Sequence, residues 1–200
     1  IHGANDLLII KKNSKNKSNF SQFRTFFTYI GVVFVGLIFF YLFPSFALIT
    51  FILVSIYHFG EQHLEAIPIN KSLKNNSRII SIVSHGIILF TIIFLNNIDI
   101  VNNVFLSFKI NFLNSKTLNV ILITASILYI STLVFNQYLT SFIFSEVLFF
   151  VLFYFLSLNS TLILCFSVYF IFFHSILSIK DQVKYIYGSN DYSSLKRYLL

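Results

Sequence analysis

The chain has no Trp and no Met, one Cys, two Pro and only seven acidic residues in 200. The missing Trp and Met exclude nothing alone. The single Cys165 excludes an internal disulfide and a CxxC metal site. The scarcity of charge excludes more. Charged residues make up 10% of the chain, against about 25% in a typical soluble domain. Hydrophobic residues reach 56%, Phe alone contributes 27, and mean hydropathy is +0.81. Nearly every helix-length window is apolar on all faces, which is the composition of a chain that crosses a bilayer several times. No internal repeat is evident.

A net charge of +7 raises the question of nucleic acid. The positions of the charges answer it. Lys and Arg fall in short segments between apolar runs, where the positive-inside bias places them. Nucleic acid is therefore not an expected partner, whereas the lipid bilayer is.

The expected fold class is all-α: a polytopic transmembrane helix bundle of about six full spans plus a truncated N-terminal helix, forming one integral-membrane domain over residues 1–200. Residues 1–10 read as the end of a span whose beginning is missing, with no cleavable signal visible. The full spans are expected at 25–43, 45–62, 79–95, 117–135, 142–158 and 161–178. Pro44 separates the first two, because it disfavours helical backbone at Phe43. Gly31 and Gly36 are five apart and so do not form a small-xxx-small pair. Segment 96–116 has room for a short interfacial helix, and 180–200 reads as a polar tail. Connectors 11–24, 65–78, 136–141 and 180–200 alternate onto one face and carry most of the Lys and Arg. That face is expected to be cytoplasmic, in the cell (inner) membrane. The 136–141 turn is uncharged and does not vote.

Polar groups inside hydrocarbon are expensive and mark sites by default. The stretch Tyr57-His58-Phe59-Gly60-Glu61-Gln62-His63 closes a long apolar run. Counting from the nearest connector, His2, His58, His85 and His174 all lie about 9–14 Å inside the cytoplasmic helix ends at about 1.5 Å per residue. They come from four spans, and Glu146 falls in the same layer. Asp6 and Glu61 lie nearer the interface, and His63, at a helix end, is expected to be interfacial. Neutral imidazoles converging on one centre suit Fe, Zn, Cu or Ni. Asp6, Glu61 or Glu146 would then bond the second ring nitrogens. The same groups fit a proton relay, and any one histidine taken singly fits a helix–helix hydrogen bond. Tyr57, Tyr154 and Tyr169 suit interfacial anchors, pocket walls or donors.

Three segments together resemble the Brp/Blh family of membrane β-carotene 15,15′-dioxygenases. His2-Gly3-Ala4-Asn5-Asp6 is similar to the family's His-Gly-x-x-Asp opening. Tyr57-His58-Phe59-Gly60-Glu61 is similar to its His-Phe-Gly segment. Tyr169-Phe170-Ile171-Phe172-Phe173-His174-Ser175 is similar to its late-helix segment. The resemblance implies a polytopic enzyme holding non-haem Fe(II) on histidines and cleaving β-carotene, or a related carotenoid, with O2 to retinal. It also implies a functional link to a retinal-binding rhodopsin. His2, His58 and His174 match the family's iron ligands; His85 is a candidate to complete the set by its depth, a role the family does not assign it. No catalytic group beyond the metal ligands is assigned. Asp6, Glu61 and Glu146 are the candidates to orient those ligands.

The chain departs from the pattern at Ser178, where the family has a second histidine four residues after His174. It departs again at His63, where an acidic residue is usual, and at Leu158-Asn159-Ser160, where prolines are usual. The competing readings are an inactive member that binds a carotenoid or retinoid, and a small transporter dependent on His and Glu. A lipid desaturase is disfavoured, because HxxHH is absent and His58 and His63 are five apart.

Overall fold

The computed structural model describes residues 19–67, 75–136, 140–189 and 191–199, and every regular element among them is helical. The helices are α1 (Asn19–Leu42), α2 (Pro44–Ala66), α3 (Asn75–Asn96), α4 (Ile98–Ser107), α5 (Ser115–Phe135), α6 (Ile143–Leu158), α7 (Leu162–Tyr169), α8 (Ile176–Tyr187) and α9 (Tyr192–Leu199). A 3-10 turn at Thr140–Phe142 precedes α6. A π-helical segment, Phe170–Ser175, joins α7 to α8.

Among the described residues five helices are long and apolar enough to cross a membrane: Pro44–Ala66, Asn76–Asn96, Ser115–Phe135, Thr140–Leu158 and Leu162–Tyr187. Phe26–Leu42 and Ile98–Ser107 are apolar but shorter. Five of the six expected full spans are therefore matched by such helices among the described residues. The first expected span, 25–43, falls on α1, whose apolar part Phe26–Leu42 is the shorter helix. The chain is a polytopic membrane protein.

Local chemistry sets the breaks. Pro44 takes the first position of α2, where its missing N–H costs nothing, and Phe43 is left outside both helices. Asn114 caps α5 by accepting from the Lys116 amide at 2.9 Å. Thr161 caps α7 through the Leu164 amide at 3.3 Å. Between α4 and α5, Asn102 clamps Leu113: its Oδ1 accepts from the Leu113 amide at 2.7 Å and its Nδ2 donates to the Leu113 carbonyl at 3.2 Å. Ser45 Oγ donates to the Phe108 carbonyl, tying the start of α2 to the end of α4.

The chain forms two compact units, Ser45–Phe170 and, among described residues, 19–44 with 171–199. In the first unit α3 is the centre. Of its apolar window 61% is buried, against 17–28% for the other spans. Ile82, Leu89 and Ile93 pack there with Phe59 of α2, Tyr129 and Leu133 of α5, Phe153 of α6 and Tyr169 of α7. Ser81 of α3 donates to Thr132 Oγ1 of α5 at 2.8 Å, a polar contact of the kind that fixes helix pairs in lipid.

In the second unit α1 turns Val32, Phe34, Val35, Leu37 and Tyr41 outward, each more than 60% exposed. Hydrocarbon rather than water suits such a surface. Helix α8 ends at Gly188, whose φ of 82° only glycine adopts freely. Segment 180–200, expected as a tail, contains the last turns of α8 and all of α9. Tyr187 OH donates to the Arg197 carbonyl at 3.2 Å, and Tyr198 OH donates to Gln182 Oε1.

Candidate metal centre

Four helices of the Ser45–Phe170 unit bring one titratable cluster together. On α2, Phe59 and Gly60 are buried, and His63 follows them by four and three residues, hence on the same face. On α3, the run Ser81, Ser84, His85, Leu89 is buried throughout. On α6, Glu146 sits in the first turn, where exposed backbone amides favour a negative charge. Helix α5 adds Tyr129.

His63 Nε2 donates to Glu146, at 2.9 Å from Oε2 and 3.1 Å from Oε1. Tyr129 OH donates to Oε2 at 2.7 Å. The His85 ring lies parallel to that of His63, centroids 3.9 Å apart and planes 18° apart, with Nδ1 3.9 Å from Glu146 Oε2. Phe149 covers both imidazoles, at 5.3 Å from His63 and 5.8 Å from His85. Phe150 and Tyr129 close the far side of His85 at 4.9 and 5.4 Å. This aromatic wall excludes water from His85, which is 1% exposed.

The hydrogen bonds leave an unbalanced account. Glu146 accepts from two donors, while neither ring nitrogen of His85 has a hydrogen-bond partner. A buried polar group without a partner costs about 1–3 kcal/mol. A metal ion satisfies such a nitrogen. One donor atom from each of His63, His85 and Glu146 can be chosen so that all three lie within 4.8 Å of one another. Two imidazoles and a carboxylate form the donor set that suits first-row divalent ions, non-haem Fe(II) among them. Among the described residues this is the one group of three or more His, Cys, Asp or Glu so placed.

His63 is thus corrected from an interfacial residue to a cluster member, 14% exposed at its side chain. The signal was present in its spacing from Phe59 and Gly60. The structure brings His85 and Glu146 together with it. His58 lies on the exposed part of α2, with its ring 5.9 Å from that of Phe59. Glu61 accepts from Tyr57 OH at 3.4 Å, along the same helix. His174 is buried, 3% exposed, inside the π-helical segment. Rare π turns inside helices gather at functional sites. Ser178 lies four residues on, in α8, and accepts from Gln182 Nε2 at 3.4 Å. His2 and Asp6 lie outside the described residues.

Apolar cavities flank α3. One of about 290 Å3, between α3, α5 and α6, is lined by Ile88, Ile92, Leu122, Leu133 and Phe150 and reaches Tyr129 and Glu146. A second of about 290 Å3 lies between α2, α3, α4 and α7, lined by Phe51, Phe90, Phe94, Phe105 and Phe166 among others.

Fold and site together define a membrane-embedded helical protein with a buried, metal-competent His/His/Glu cluster beside apolar cavities. The family model for beta-carotene 15,15'-dioxygenase matches residues 1–200, and the chain belongs to that family. No curated protein and no solved structure matches the chain.

Proposed function

We propose that the protein cleaves the central double bond of β-carotene, or of a related carotenoid, with O2 to give two molecules of retinal. The observation that carries this reading is the family match along the whole chain. The motifs around His2, His58 and His174 support it, because they are similar to those of the Brp/Blh group. We assign the iron to those three histidines. Neutral imidazoles are suitable donors for Fe(II) and leave positions open. The burial of His174 within a π turn supports its part in the set.

Bound Fe(II) would supply O2 activation for a reaction in which the C=C bond breaks and each carbon gains one oxygen atom. His2, His58 and His174 would hold the ion through neutral ring nitrogens. The apolar cavities beside α3 suit a lipophilic polyene that enters from the bilayer. Their Phe and Ile walls keep water away from the reacting carbons. In the proposed topology the basic connectors and the histidine layer lie toward the cytoplasm of the cell (inner) membrane. Retinal released there would supply a retinal-binding rhodopsin.

The test is iron content and retinal formation by the purified chain, with His58→Ala and His174→Ala alongside. Iron and two retinals per carotene in the parent, both lost in the variants, support the reading. A parent that holds no iron and forms no retinal overturns it. Ser178, where the resemblance expects a histidine, favours one second reading: a member that binds the carotenoid without turning it over. Stoichiometric bound polyene with no aldehyde would identify that case.

A further inference from the structure

We propose that His63, His85 and Glu146 bind a divalent first-row transition-metal ion, at a site built from residues outside the motif histidines. The inference stands on the geometry of this cluster and does not rest on the carotenoid reading. His63, Glu146 and Tyr129 form a hydrogen-bonded network that is complete without His85. A purely structural role therefore explains those three and not the fourth. His85 is buried, has no hydrogen-bond partner on either ring nitrogen, and stands with Nδ1 3.9 Å from the shared carboxylate oxygen. Its Nδ1 faces the cluster, which makes it a donor waiting for a ligand rather than a member of the network.

The dimensions fit with a small contraction. Ligand atoms bound at about 2.0–2.2 Å to one ion lie no more than about 4.4 Å apart. Here the three donors lie within 4.8 Å. An ion takes the place of the proton between His63 Nε2 and Glu146 and draws His85 inward. Tyr129 OH keeps its bond to Oε2 and orients the carboxylate. Phe149 and Phe150 pack against the two imidazoles, an apolar wall that favours an ion held directly by the protein. Nitrogen and carboxylate donors select Fe, Zn, Co or Mn over Ca or Mg. The bound ion joins α2, α3 and α6 to one another, so it tightens the Ser45–Phe170 unit as well as filling the site.

The test uses the untagged chain, stripped with chelator and titrated with Co2+. The His58→Ala, His174→Ala double variant should still take up one Co2+ per chain, with visible d–d absorption and an X-ray absorption signature of two imidazoles. Binding should raise the unfolding temperature. In that double-variant background, Glu146→Gln and His85→Gln should each weaken Co2+ binding by more than the roughly 10–100-fold that follows loss of an outer partner, and Tyr129→Phe by about 10-fold. The proposal falls if the double variant binds no Co2+, if its Co2+ carries fewer than two imidazoles, or if adding Glu146→Gln to the double variant leaves its Co2+ binding unchanged. Should the Gln variants fail to fold, the absorption signature of the double variant decides alone. A parent that holds no iron and forms no retinal while the double variant binds Co2+ removes the cleavage reading and leaves this one standing.

Discussion

Gly60 on α2 lies against the backbone of Ile82 on α3 so closely that a Cβ added to it would stand 1.9 Å from the Ile82 carbonyl oxygen. The contact is reciprocated one turn away, where a Cβ on Gly86 would stand 2.0 Å from the Ile56 carbonyl oxygen. The obstructing atoms are backbone, so neither can swing aside. Two glycines, one on each helix, let α2 and α3 cross at backbone contact. The crossing sits three residues from His63 and next to His85, and so it fixes the distance between their rings.

Gly60→Ala should therefore act on stability and on the cluster together. Overpacking of this kind costs about 1–3 kcal/mol. The helices must separate, which moves the His63 and His85 rings off their 3.9 Å stacking distance. Unfolding followed by circular dichroism in detergent should show the loss, and Gly86→Ala should match it. Gly31→Ala is the control, because nothing lies within 4 Å of its added Cβ. Equal effects at Gly31 and Gly60 would refute the crossing.

The glycine crossing also shows where the sequence was informative and where it was not. Long apolar runs are visible residue by residue, so the helices at 44–66, 76–96 and 115–135 follow from composition alone. Pro44 and the capping residues Asn114 and Thr161 mark ends for local reasons. Depth in the bilayer is also local, and it drew attention to His85 and Glu146. Rotation about the helix axis is not local: it depends on which face meets a neighbour. His58 and His63 differ by five residues, so they project to different sides of α2. Gly60 was the visible clue, since a small residue in a span marks the face that a second helix approaches.

The two donors on Glu146 are unequal in what their removal leaves behind. Tyr129→Phe deletes one hydroxyl, and the carboxylate keeps its contact with His63. We expect a loss of about 1–2 kcal/mol, the range of a charge-assisted bond moderated by the alternatives available within a membrane. Glu146→Ala strands both His63 and Tyr129 and opens a space between α5 and α6. Its cost should be larger, about 3–5 kcal/mol. Unfolding in mixed micelles measures both, and the reverse order would show that Glu146 is not the hub of the network.

Asp191 offers a pH test well away from the spans. It caps α9, with Oδ1 accepting from the Ser194 amide at 2.8 Å and from Ser193 Oγ at 3.1 Å. Hydrogen bonds from Ser194, side chain first and then backbone, hold its carboxyl below the ordinary value of 3.8. A depressed carboxyl stabilises the fold above its unfolded pKa and loses that contribution as pH falls through the folded value. Helix α9 should therefore hold at neutral pH and fray only below about pH 4. Amide exchange at Ser194 and Leu195 should report this change, and Asp191→Ala should remove the pH dependence. An acid transition that persists in Asp191→Ala would belong to another group.

Ser178 tests whether the late-helix histidine works alone. It follows His174 by four residues, within one turn, so a side chain there shares the His174 face. A serine hydroxyl is a poor iron donor beside imidazole, whereas Ser178→His supplies a neutral nitrogen. If the motif histidines hold iron, this substitution should slow its loss to chelator by at least about 10-fold, because a fourth nitrogen enters the set. Retinal formation per iron should hold or rise, since the added ligand keeps the ion in place without touching the apolar cavities. The π turn at Phe170–Ser175 makes the result sensitive to register. Placed one residue earlier, at Leu177, the same histidine should leave iron retention unchanged. If Leu177→His and Ser178→His behave alike, iron is not held on that face of the helix, and the assignment of His174 as a ligand falls with it.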